Sequence, residues 1–376
     1  MTTPPAPAAS QTDAQDTMRA LGIASRPEPG TSPAALQWVE VPVPMPDKGE
    51  VRVRVVAAAL NRDDVHAAEG TVFGGVPVAP RPTAKRPVVP GIDLAGVVDA
   101  VGPGVRDMVI GQRVLGVAYM QRLGSLAPYC CTKASRVCPL PDGWTFAQGA
   151  ATGLTGSVAS MAIEAAGDPR GKRCVVVGAS GNIGGLMVQA LAAAGAHEIV
   201  GVCSGANADR VTALGAGRVV DYGHSPWGRQ LADEPPFDIV FDCVGGRDTE
   251  AEALSVLPPD GHLLTLCGPM RFLGGRRLSW LTITRTLAYI AWRMLSSRVR
   301  GPRYTLLSGS EPNWSAVDRL LLLPDIRPSI DAVREFERDD VASALDSVVG
   351  NRRQGKQVIL LRPDEELSVS HRLHTP

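Results

Sequence analysis

The segment Val175-Val-Val-Gly-Ala-Ser-Gly-Asn-Ile-Gly-Gly185 places glycines at 178, 181 and 184, after an apolar run and before a stretch of small residues. Glycine permits a tight turn and lets bare backbone approach a pyrophosphate. The helix that follows would present unpaired N–H groups and a partial positive charge to it. Gly178, Ala179, Ser180, Gly181, Asn182, Ile183 and Gly184 are therefore expected to hold a dinucleotide. The spacing is G-x-x-G-x-x-G rather than G-x-G-x-x-G. The next apolar run, residues 199–203, leads into Ser204-Gly205, without the carboxylate that would bind a ribose 2′-hydroxyl. Ser204 can donate to a 2′-phosphate, and Arg210 follows shortly after, though beside Asp209. This pattern favours NADP(H) over NAD(H).

The elements around this loop fall into two kinds. Residues 18–143 read as short strands and turns; Val51-Arg-Val-Arg-Val-Val56, for example, alternates apolar and charged positions. From residue 144 the pattern changes. A stretch rich in alanine and glycine, 146–166, reads as a close-packed helix, and apolar runs then alternate with helical segments. Alternation of this type predicts an α/β fold with a parallel, doubly wound sheet. Residues 339–349 read as a helix and 357–361 as a strand. Residues 1–17, rich in Pro, Ala, Ser and Thr, read as a disordered tail, and residues 362–376 as a polar tail.

Composition narrows the function classes. The chain has 376 residues, enough for two domains, and its 38 Lys plus Arg balance 38 Asp plus Glu. That balance gives no reason to expect a nucleic acid or a membrane as partner. Seven cysteines, an odd number, fit free thiols, and no secretory signal is visible, so a cytoplasmic location is expected. Residues 278–294, LSWLTITRTLAYIAWRM, are apolar but interrupted by Arg285 and Arg293. They read as an amphipathic helix facing the core or a second copy rather than a bilayer.

The chain resembles the medium-chain dehydrogenase/reductase superfamily, in its zinc-independent quinone oxidoreductase-like branch. The motifs carrying the likeness run in the family's order: Ala59-Leu-Asn-Arg-Asp-Asp64, Pro90-Gly-Ile-Asp-Leu-Ala-Gly96, Gly111-Gln-Arg-Val114, Leu126-Ala-Pro-Tyr129, residues 150–156 with Thr155, Phe241-Asp-Cys-Val-Gly-Gly246 and Gly355-Lys356. The resemblance implies a GroES-like β domain over residues 18–143 and a Rossmann NADP-binding domain over 144–325. It also implies a return to the first domain over 326–361, a homodimer, and a cleft between the domains for cofactor and substrate.

Zinc-dependent members place cysteine and His-Glu ligands at positions that match Asn61, Ile92-Asp93 and Ala151 here, so no metal is expected. Without a metal to stabilise an alkoxide, hydride transfer to a quinone or an α,β-unsaturated carbonyl is the expected reaction, on a small apolar carbonyl substrate. An alcohol dehydrogenase, an enoyl-thioester reductase and a non-catalytic NADPH-binding protein remain alternatives. For the enoyl-thioester reductase, Val72 stands where such enzymes carry a tyrosine.

By resemblance, Asn61 is the candidate polar contact in the cleft, and Asp64 either polarises the site or bonds its own loop. Tyr222 matches a tyrosine near the 2′-phosphate, and Asn207 stands where some relatives carry a phosphate-binding lysine. Thr155, Cys243, Val244 and Gly245 are expected along the cofactor, with Cys243 a packing thiol. Lys356 either closes the site or caps the last strand. Tyr129 and His66 are read as packing residues, and the substrate pocket is placed in loops 71–86 and 270–307.

Overall fold

The computed structural model describes residues 16–28, 30–69, 81–118, 123–271, 279–307, 313–323, 325–350 and 354–363. The expectations for Val72, for most of both tails and for most of the loop 71–86 lie outside them, as do residues 272–278 of the second expected substrate segment; of the rest of that segment only Arg271 lines the cleft described below.

Among the described residues fifteen strands form three sheets. Strands β1 (Thr17–Gly22) and β2 (Gln37–Pro42) make an antiparallel ribbon. The second sheet contains β3 (Glu50–Leu60), β4 (Asp93–Val101), β5 (Arg113–Val117), β6 (Tyr129–Lys133) and β7 (Val137–Pro139). It also takes β14 (Ile330–Glu335) and β15 (Lys356–Leu360) from the far end of the chain, in the order β14-β15-β3-β4-β5-β7, with β6 also on β3. The alternation at the start of β3 has its expected outcome. Val51, Val53 and Val55 are buried against Leu94, Val98 and Val114, while Arg52 and Arg54 stay half-buried. From Val56 to Leu60 the strand is buried throughout, because a helix covers its second face.

The third sheet comprises β8 (Arg173–Val177), β9 (Glu198–Cys203), β10 (Arg218–Asp221), β11 (Ile239–Asp242), β12 (His262–Thr265) and β13 (Arg303–Leu306). Every pairing is parallel and the order is β10-β9-β8-β11-β12-β13. Strand order reverses between β8 and β11. A doubly wound sheet opens a crevice at such a point, beyond the carboxyl ends of its strands.

The helix Phe146–Ala166 lies between the two large sheets. Thr145 and Gln148 form a reciprocal capping box at its start, and Gly167, with φ of 83°, ends it. One core cluster joins Val56, Ala95 and Leu115 of the second sheet, through Ala150 and Ala159 of this helix, to Leu186 and Ala190 beyond it. Its small residues set the spacing. A Cβ on Gly149 would stand 2.6 Å from Leu140 Cδ1, and one on Gly153 would stand 2.6 Å from Gly116 O and 2.7 Å from Asp93 Oδ1. The glycines let the helix lie directly on β4 and β5.

The helix Trp280–Ser296 is amphipathic, but it is not a core element. Only Ile283 and Arg293 are buried in it, because it packs by one narrow face and leaves most of its apolar residues in solvent. All seven cysteines are free. Among the described residues no helix is long and apolar enough to cross a membrane.

His262 at the start of β12 is buried, with Nε2 2.9 Å from Thr305 Oγ1. Burial, helped by Arg303, lowers its pKa to about 4. The folded ring is therefore neutral, and its contribution to stability is present above the unfolded pKa near 6.5 and lost as pH falls towards 4. Replacing His262 with Gln should remove about 2 kcal/mol of the wild-type stability loss between pH 7 and pH 5. Denaturant titrations at both pH values measure it; equal losses in the two proteins would refute the assignment.

Candidate active site

The crevice at the β8/β11 reversal is a cleft of about 1030 Å³, walled on its other side by the end of β3 and the helix Phe146–Ala166. Strand β8 runs into Gly178, whose φ of 79° and close neighbours Val244 Cγ2 (3.0 Å from a built Cβ) and Cys243 Cβ (3.5 Å) exclude any side chain. Gly181 is the N-cap of the helix Asn182–Ala193, and no side chain caps it. A Cβ on Gly181 would meet only Gly178 O, at 3.2 Å, so the backbone is bare on its open side. A Cβ on Gly184 would lie 2.3 Å from Gly178 O, which holds the helix start against the loop. The first-turn amides are thus presented uncapped to the cleft, and this fits the pyrophosphate of a dinucleotide.

Gly178, Ser180, Gly181, Asn182, Ile183 and Gly184 all line the cleft. Ser204, Asn207 and Tyr222 line it beyond β9 and β10, with Asn207 Nδ2 donating to Ser204 Oγ at 2.8 Å. Asn61, Thr155, Cys243 and Val244 also line it. Burial, with Asp242 adding to it, pushes the Cys243 thiol well up, so it stays protonated and is no nucleophile.

Five expected residues stand elsewhere. Ala179 is fully buried beneath the loop. Gly245 is used for packing: its φ is 78°, and a Cβ there would lie 2.5 Å from Cys267 Cβ. Its N–H and that of Val244 donate to Asp242 Oδ1 at 2.8 and 2.9 Å, which fixes the turn after β11. Arg210 does not line the cleft. Its guanidinium is turned away, donating to the carbonyls of Ser180 and Gln354. Asp64 is buried, accepting from Asn61 N–H at 2.7 Å and Gly91 N–H at 2.9 Å, so it bonds its own loop. Burial pushes its carboxyl up to about 7, with Asp93 adding to the shift and the two N–H donors opposing it.

Lys356, the fifth, is wholly buried. Its Nζ donates to Asn61 Oδ1 and to Asp93 Oδ2, the latter at 2.5 Å, while Asn61 Nδ2 donates to the same Asp93 oxygen at 2.9 Å. The other oxygen of Asp93 accepts the Leu154 N–H of the central helix at 2.5 Å. An ammonium thus stands between the amide and the carboxylate at two of the positions that align with zinc ligands. The others, Ile92 and Ala151, are buried apolar side chains. Among the described residues no three His, Cys, Asp or Glu cluster as a metal site would require.

The sequence reading missed Arg62 and Asp63, which line the cleft beside Asn61. It chose Asp64 of the two adjacent carboxylates. In the helix Arg62–Glu69 successive residues turn by about 100°, so one aspartate reaches the cleft and the next the protein interior. Burial raises the Asp63 carboxyl, Asp93 adds to this, and Lys356 and Arg62 oppose it. Trp227, Thr249, Glu252 and Arg271 also line the cleft, and no motif announced them. Tyr129 and His66 do not line it. Tyr129 packs in the core beside β1 and β2, and burial lowers the His66 ring to about 4.

Comparison with known proteins agrees with this architecture. Residues 47–167 match the alcohol dehydrogenase GroES-like domain and residues 214–359 the zinc-binding dehydrogenase family. A zinc-type alcohol dehydrogenase-like protein of Schizosaccharomyces pombe is 31% identical over 327 residues, covering 82% of this chain and 86% of that protein. The 2-methylene-furan-3-one reductase of Solanum lycopersicum is 32% identical over 235 residues, covering 61% of this chain and 57% of that protein. The solved quinone oxidoreductase from Coxiella burnetii shares the fold, with a TM-score of 0.71 at 22% identity over 92% of this chain and 100% of the other. With its GroES-like domain, its parallel dinucleotide-binding sheet and these relatives, the chain belongs to the medium-chain dehydrogenase/reductase superfamily of oxidoreductases.

Proposed function

We propose that the protein is a zinc-independent, NADPH-dependent reductase of quinones or α,β-unsaturated carbonyls. The observation that carries this reading is the Lys356 ammonium bonded to Asn61 and Asp93. It sets a positive charge, hydrogen-bonded to both side chains, at two of the positions that align with metal ligands, where a divalent cation would be repelled. An acceptor whose own π-system spreads developing negative charge needs no metal. A relative that is a 2-methylene-furan-3-one reductase supports this reading, and a quinone oxidoreductase shares the fold. An alcohol dehydrogenase would need an alkoxide stabiliser that this residue set does not supply.

The nicotinamide, when bound, supplies the hydride. The loop from Ser180 to Gly184 holds the phosphates through backbone amides. The choice of NADPH is supported by the missing carboxylate at Ser204 and by the polar edge of Ser204, Asn207 and Tyr222, not by Arg210, whose guanidinium is engaged elsewhere. Asn61 is held in one orientation, because its Nδ2 donates to Asp93 and its Oδ1 accepts from Lys356. Thr155, Cys243 and Val244 wall the cleft against water. Asp63 lines the cleft with a carboxyl that burial raises, and in its protonated form it would give a proton to the enolate or quinol oxygen formed after hydride arrival.

Two outcomes test the reading. Gly181→Val should keep the fold but weaken NADPH binding about 100-fold, or ~2.8 kcal/mol, in a fluorescence titration. In the same assay a tighter fit for NADH than for NADPH would reverse the cofactor choice. Asp63→Asn should lower kcat for an enone or quinone by about 10²- to 10⁴-fold and remove the basic limb of the pH–rate profile, with NADPH affinity unchanged. An unaltered profile would place the proton donor elsewhere.

A further inference from the structure

Residues 261–310 contain eight arginines and no aspartate, glutamate or lysine, in a chain whose charges balance only when this stretch is included. The helix Trp280–Ser296 lies within this stretch and is held by its inner face alone. Arg293 is buried and paired with Glu250, and Tyr289 donates to the same carboxylate at 3.1 Å. At about 100° per residue, Trp280, Leu281, Leu287, Trp292, Met294 and Leu295 fall on one outward arc. Trp280 is 77% exposed, Leu295 67% and Trp292 58%, and Val299 continues the arc past the helix end. Arg285, Arg298, Arg300 and Arg303 are exposed around it and make no ion pair among the described residues.

We propose that this face docks on the surface of an anionic phospholipid bilayer. Charge decides the occupant. A two-fold contact with a second copy would set the same unbalanced arginines against one another. Lipid phosphates and carboxylates neutralise them, while tryptophans and leucines enter the boundary between headgroups and acyl chains. The helix has 17 residues, about 26 Å of rise against a hydrocarbon core of about 30 Å, so it lies in the membrane plane and does not span it. Glu250 belongs to the helix Arg247–Val256, whose Thr249 lines the cofactor cleft. The docked face is therefore tied to a wall of the cleft through Glu250, and docking would bring the cleft close to the lipid. The inference is independent of the reaction assigned to the cleft.

Flotation of the full-length, NADPH-saturated protein with vesicles tests it. Vesicles of phosphatidylcholine with roughly 30 mole per cent phosphatidylserine should recover at least about tenfold more protein than phosphatidylcholine alone, with a blue shift of tryptophan emission. Raising the salt to about 0.5 M should weaken recovery. The double variant W292E/L295E should lose binding, and R298E/R300E should weaken it, both with unchanged melting temperature because these side chains are exposed. Equal recovery on neutral vesicles, no recovery at low salt, or wild-type flotation of W292E/L295E would overturn the proposal. So would absent vesicle binding together with a dimer that W292E/L295E converts to monomer, which would assign the face to a second copy.

Discussion

Asp93 is a fully buried carboxylate, and leaving it unpaired would cost several kcal/mol. It is satisfied by groups that no local segment could bring together: Asn61 from the end of β3, Lys356 from the start of β15 and the Leu154 amide from the central helix. Ser125 Oγ separately donates to the main-chain carbonyl of Asp93 at 2.6 Å. The knot requires the C-terminal strand to be in place beside β3 before the site exists. It also fixes Asn61, the polar group at the cleft wall, in one orientation. Chain topology and site geometry are thereby set by one buried charge.

The central helix makes that charge reachable. A side chain at 153 would stand where Asp93 and the Gly116 carbonyl are, so glycine there is a condition for the Leu154 amide to meet the carboxylate. The same small-residue packing joins the two sheets through a single hydrophobic cluster. The cleft is left between two bodies that share a core, with the phosphate loop on one side and Asn61 and Asp63 on the other.

The phosphate loop and the parallel sheet were legible in the sequence because both rest on local rules: apolar runs, glycine positions and helix starts. Most residues expected along the cofactor do line the cleft for the same reason. What sequence could not show depends on direction and distance. Asp63 and Asp64 are neighbours in the chain, yet only three-dimensional placement reveals which one faces the cleft. Lys356 was read as a lid or a cap, and its burial in an ion pair with a residue 263 positions away is a tertiary fact. Gly245 and Ala179 carry the right motif but serve the packing beneath it. The outer helix was read as a core or dimer element, since periodicity identifies an apolar face without saying what covers it.

Arg210 links two parts of the molecule that are remote in sequence. Its guanidinium grips the carbonyl of Ser180, inside the phosphate loop, and that of Gln354, two residues ahead of Lys356. A side chain that sequence would assign to reading the nucleotide acts instead as a strut between the loop and the segment feeding the final strand. The readiness of the loop is thereby coupled to the closing of the chain end. A partly folded molecule lacking its last strand would also lack a supported phosphate cradle, and would not hold cofactor before its site is complete.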